Sequence, residues 1–260
     1  MLNKNILILF ITIFLFLSAC SPVTKEETNN QEDNRQTILE NTNNFHDDNV
    51  EGTVLENNTN EDQSDTIDSN PNIEYRRKRI NLLQSVQENG YYCVPACVQM
   101  VLQLNGITIS QSQLAQEMNT HSVTGTEYVD LARIINKYRF GNEFPKDNQP
   151  GYRVQILNKG VWDQNAFDIL EKRIQQDILT NDPVFIAIEL SKLYPELGIT
   201  GNHMVLLTGY QLDQEGNISS YYIVDPYYKV QDSQYQGLKI FSKNEIYQAL
   251  VNNAEPAYIW

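Results

Sequence analysis

Gln87-Glu88-Asn89-Gly90-Tyr91-Tyr92-Cys93-Val94-Pro95-Ala96-Cys97 is the stretch on which the reading of this chain turns. From Cys93 onward, Val94, Cys97, Val98, Val101 and Leu104 or Asn105 keep the spacing of one apolar helix face. Asn105-Gly106 then supplies a C-terminal stop signal. The helix therefore begins near Cys93, and Pro95 falls near its first turn, where a missing N–H costs nothing. A thiol at that position meets unpaired N–H groups and the positive end of the helix dipole, both of which favour a thiolate. A cysteine becomes a useful nucleophile when its pKa falls from about 8.5 into the range of roughly 3.5–7.5. Cys97 lies one turn further in, on the stripe of Val94, Val98 and Val101, where apolar burial raises a thiol pKa. Cys93 is thus the reactive candidate and Cys97 the structural one.

A thiolate of this kind needs a base, and the base needs an orienting group. The chain has three histidines: His46 in a polar N-terminal stretch, His121 in a polar loop, and His203. His203 opens the apolar run Met204-Val205-Leu206-Leu207-Thr208-Gly209-Tyr210, a strand pattern. A second such run, Ser220 to Val224, ends at Asp225, and Pro226 turns the chain. The turn-rich stretch Asp213-Gln214-Glu215-Gly216-Asn217 between the runs predicts an antiparallel hairpin. In that hairpin His203 and Asp225 fall near the same end of the sheet.

Outward from these residues the organisation is helices first, then strands. Ser110 with Gln113 has the pattern of a capping box opening a helix toward Met118. Thr126 precedes a third helix, with Leu131, Ile134, Ile135 and Tyr138 on one face. Gln164 to Leu179 predicts a fourth, with Phe167, Leu170, Ile174 and Ile178 aligned. Val184 to Leu190, after Pro183, is a short run suited to a buried strand, and Ala257 to Trp260 predicts a last edge strand. This order gives an α+β domain, N-terminal helices packed on an antiparallel sheet.

Gln87 to Cys97, Gly201-Asn202-His203 with its apolar strand, and Val224-Asp225-Pro226 together resemble a known group. They look like the stand-alone relatives of the double-glycine, bacteriocin-leader-processing peptidases, which are papain-like cysteine peptidases. The likeness covers roughly residues 80–260 and keeps the family's order of Cys, His, Asp. It implies a papain-like fold, with Cys93 as nucleophile, His203 as general base and acid, and Asp225 as the group orienting His203. It also implies that Gln87, six residues before Cys93, donates to the oxyanion together with the Cys93 main-chain N–H. A peptide or protein substrate, a monomer and no cofactor are expected. One departure stands out: the family usually reads Cys-Gly-Pro-Ala, and Val94 replaces the glycine. A β-branched side chain there is expected to narrow the approach of substrate.

The N-terminus has a different character. Lys4 precedes an apolar run from Ile6 to Leu17, too short for the roughly 20 helical residues that span a bilayer. The run ends in Leu17-Ser18-Ala19-Cys20, which resembles a bacterial lipobox, with Cys20 acylated at the mature N-terminus. Residues 21–75 hold fourteen Asp and Glu against only Lys25 and Arg35, a net of −12 in a chain of net −14. Residues 1–20 therefore read as a lipoprotein signal peptide, 21–77 as a disordered acidic tether, and 78–260 as the peptidase domain. The domain's own balance is nearly neutral and shows no basic groove, which argues against a nucleic-acid partner. The cluster Arg76 to Arg79 reads as a solvated boundary, with contact to anionic lipid or wall polymer as the alternative. The expected location is the outer face of the cytoplasmic membrane of a Gram-positive-type bacterium.

Three rival readings remain. In the first, Cys93 and Cys97, at i and i+4, share a face and recruit His203 to a zinc site, but no convincing fourth ligand exists. A catalytically inactive module binding peptide or glycan is the second. Acyl transfer is the third, because an amine resolves a thioester as water does.

Overall fold

The computed structural model describes residues 76–260. The signal segment, Cys20, His46 and nearly all of the acidic tether lie outside the described residues. In chain order the elements are β1 (Arg77–Arg79), α1 (Cys93–Leu104), α2 (Gln111–Glu117), α3 (Tyr128–Phe140), β2 (Val154–Ile156) and α4 (Gln164–Leu179). There follow β3 (Val184–Glu189), α5 (Leu190–Leu193), β4 (Asn202–Leu212), β5 (Ile218–Val224), β6 (Leu238–Ser242), α6 (Lys243–Val251) and β7 (Ala257–Ile259).

All seven strands join one antiparallel sheet of order β2-β7-β3-β4-β5-β6, with β1 pairing the far part of β4. The unbroken apolar runs have a simple cause: both faces of the central strands are covered. Successive side chains alternate between faces, and two core clusters divide them accordingly. Phe185, Ala187, Met204, Leu206 and Val224 pack with α1, α2 and α3. Val184, Ile186, Ile188, Val205, Leu207 and Ile223 pack with α4 and α6. The architecture is thus α+β, as expected from the sequence.

Two findings differ from the expectation. Ala257–Ile259 is not an edge strand, because β2 pairs on its outer side and β3 on its inner side. The capping pattern at Ser110 is only half formed: Ser110 Oγ accepts from the Gln113 N–H at 3.2 Å, while the Gln113 side chain turns away to Glu117. A complete capping box sits instead at Ser242 and Glu245, opening α6. Arg77–Arg79, expected at a boundary, are exposed on a short strand held by Gly209, where an added Cβ would lie 2.3 Å from the Lys78 carbonyl oxygen.

Candidate active site

α1 begins at Cys93. Its N-cap, Tyr92, makes no side-chain cap hydrogen bond, and its first turn holds no acidic residue. The N–H groups and the dipole of this helix end are therefore not offset by a local carboxylate, which suits an anionic sulfur. The thiolate chemistry belongs to the reduced form of Cys93. Cys97, one turn deeper, is a free, fully buried thiol whose Sγ lies 3.5 Å from the Met204 carbonyl. Burial first, then the charge of Asp225, pushes its pKa well above that of an ordinary thiol. The contact also aligns the start of α1 with the start of β4, since Met204 follows His203.

β4 and β5 pair as the predicted hairpin, with Leu206 opposite Val224. His203, near the start of β4, and Asp225, just past the end of β5, consequently meet. His203 Nε2 lies 2.7 Å from Asp225 Oδ1, with both residues buried. With Nε2 engaged by the carboxylate, Nδ1 is the ring nitrogen left for a reacting group.

Asp225 is held through its backbone and through one carboxylate oxygen. Its Oδ1 also accepts the Tyr227 N–H at 2.8 Å, an Asx-type turn around Pro226. Its backbone N–H donates to Gly237 at 2.9 Å, and its carbonyl accepts from Gln231 Nε2 at 2.8 Å. Gly237 is required there, because a Cβ would stand 2.1 Å from the Asp225 carbonyl oxygen. Gln231 and Gly237 are site-building residues that the sequence reading missed. Both arrive from the turn before β6, and no local pattern links them to Asp225. The Tyr227 ring lies beside His203, with centroids 5.8 Å apart, and its phenol pKa is raised to about 12 by burial, then by Tyr228 and Asp225.

Gln87 is buried, and its N–H donates to the Pro226 carbonyl at 2.8 Å, tying it to the chain next to Asp225. Its Nε2 donates to the Asn89 carbonyl at 2.7 Å. An amide carries two N–H donors, so one such bond leaves the other for an oxyanion. Gln84 serves structure instead, bonding to Tyr235 and Gly237. His121 is exposed in its loop and accepts from the Val123 N–H. Val94 is fully buried in the cluster of α1 to α3, so its methyl groups are taken up by the core instead of narrowing an approach. Among the described residues no group of three or more His, Cys, Asp or Glu is placed to hold a metal ion, and no helix is long and apolar enough to cross a membrane.

Helices on a sheet, a cysteine heading the first long helix and a buried His–Asp pair at a strand end define a papain-like cysteine-peptidase fold. The chain belongs to the Peptidase_C39 like family, whose model matches residues 79–255. Among solved structures it is similar to a putative C39-like peptidase from Bacillus anthracis, at 20% identity over 70% of this chain and 96% of that one, with a TM-score of 0.42. It is also similar to the peptidase domain of Streptococcus ComA, a bi-functional ABC transporter of a quorum-sensing pathway. That likeness is 16% identical over 70% and 96% of the two chains, with a TM-score of 0.42. A double-glycine-motif protease crystallised with its leader peptide matches at 13% identity over 70% and 91%, with a TM-score of 0.40. No curated protein matches the sequence.

Proposed function

We propose that this protein is a surface-anchored thiol hydrolase that cleaves peptide bonds through Cys93, His203 and Asp225. The observation that carries the reading is the buried 2.7 Å His203–Asp225 pair beside the helix that Cys93 opens. Reduced Cys93 attacks the substrate carbonyl, forming a C–S bond. Gln87 and the Cys93 N–H bind the oxyanion. His203, held by Asp225, passes its proton to the leaving amine, and the thioester remains. Water, deprotonated by His203, then releases the acid and restores the thiolate. The lipobox-like Leu17 to Cys20 supports anchoring through an acylated Cys20.

The test is a peptide-library cleavage profile of the full chain in detergent, with a thiol reductant that keeps Cys93 reduced. Discrete cleavage sites are expected, with Cys93→Ala reducing the rate by at least about a thousand-fold. Cleavage that persists in Cys93→Ala removes the reading. A preparation that binds peptides without cutting them points to the inactive module instead.

A further inference from the structure

The carboxylate that orients His203 is only half satisfied. Asp225 Oδ1 accepts two hydrogen bonds, from His203 and from the Tyr227 N–H. Oδ2 is buried and reaches no partner within hydrogen-bond distance. The Asp225 side chain has no exposed surface, so bulk water does not solvate that oxygen. The Tyr194 hydroxyl is likewise buried and without a partner within that distance. The two atoms belong to one neighbourhood: burial first, then the Asp225 charge and a polar contact with that carboxylate longer than a hydrogen bond, raise the Tyr194 phenol pKa. Native interiors rarely leave a donor and an acceptor orphaned side by side.

Tyr194 is also placed by the chain that delivers His203. It lies in the connection from β3 to β4, which closes on itself. Glu189 Oε1 accepts from the Ser191 hydroxyl at 2.9 Å and the Gly201 N–H at 3.0 Å, and the Leu190 N–H reaches the Gly201 carbonyl at 3.0 Å. The Tyr194 ring stands edge-on to Phe241, centroids 5.6 Å apart, and the residue is 4% exposed. A phenylalanine would fill this apolar slot without a buried hydroxyl to satisfy.

We propose that Tyr194 is a positioning residue whose hydroxyl donates to Asp225 Oδ2, directly or through one trapped water, and keeps the carboxylate ionised and aligned on His203. This rests on the hydrolase reading only for its catalytic consequence. The groups that bear on the carboxylate are His203 from β4, the Tyr227 phenol and N–H from the following turn, Cys97 from α1, and Tyr194 itself. Hydrogen bonds to a charged form favour that form. Removing the hydroxyl therefore raises the proton affinity of the carboxylate.

The experiment is a ¹³C NMR titration of the full chain labelled at aspartate carboxyls, with Asp225 assigned through Asp225→Asn. Wild type and variant are compared under one protocol. Tyr194→Phe is expected to raise the Asp225 midpoint by about one pH unit, a tenfold change in proton affinity. The acid limb of kcat/KM should follow it, with KM unchanged. A midpoint that stays put overturns the pairing, whether or not the protein hydrolyses anything. A shifted midpoint in a protein without hydrolytic activity keeps the pairing and removes the hydrolase reading. Should Tyr194→Phe fail to fold, 3-fluorotyrosine at position 194, a stronger donor, must move the midpoint downward, and no movement overturns the proposal.

Discussion

Cys93 and Cys97 sit one helical turn apart in opposite chemical settings. Cys93 heads a helix whose end carries no compensating acid, whereas Cys97 is buried against Met204 with its pKa pushed up by desolvation. After reduction, iodoacetamide is expected to alkylate Cys93 between pH 5 and 7, while Cys97 reacts only on unfolding; mass spectrometry of the adducts reads this directly. Equal, slow reaction of both thiols below pH 7 would sink the assignment of Cys93. This contrast was legible in the sequence, because Pro95 and the apolar stripe already place the helix start and its inner face. The meeting of His203 and Asp225 was legible too, through the turn at 213–217 and strand alternation. Gln231, Gly237 and Tyr194 were not. Gln231 and Gly237 bond to Asp225, and Tyr194 enters its neighbourhood, from connections whose paths depend on packing, so no spacing in the sequence marks them.

At the scale of elements, long amphipathic segments were readable and short ones were not. α1 and α4 match their expected bounds because several apolar residues repeat at helical spacing over three turns or more. β1 and β2 have three residues each, and neither contributes a fully buried side chain, so they carry no alternation to read. β7 was readable as a strand, but its interior position was not, since that depends on β2 arriving at its outer side. One element is held under electrostatic strain. Asp177 lies in the last turn of α4, where the helix dipole disfavours an anion. Its Oδ2 is buried without a partner, and burial followed by the charge of nearby Asp182 raises its pKa to about 7. A carboxyl whose folded pKa exceeds its unfolded value of 3.8 destabilises the fold as pH rises from about 4 through 7. Asp177→Asn is therefore expected to raise Tm at pH 8 and to leave it nearly unchanged at pH 4. Discounted for partial exposure, the gain is about 1 kcal/mol, or about 2–4 °C. Melts at the two pH values check it, and an equal shift at both would refute the charge explanation.

For the whole molecule, the acidic charge lies outside the part that the family model matches. The −12 of residues 21–75 accounts for most of the chain's −14, while the family match begins only at residue 79. Each buried methylene of an acyl chain contributes about 0.8 kcal/mol, and one chain alone holds a protein only marginally. A multiply acylated Cys20 should therefore keep the protein in the membrane fraction through a carbonate wash. Cys20→Ala is expected to move it to the soluble exported fraction and to abolish incorporation of labelled palmitate. Cleavage per molecule, assayed under reducing conditions, should stay unchanged, because no residue assigned to the chemistry lies before Gln87. Retention of Cys20→Ala in the membrane would refute lipid anchoring at that residue. Loss of activity on release would show instead that the substrate is presented at the membrane surface, with attachment contributing effective concentration beyond simple location.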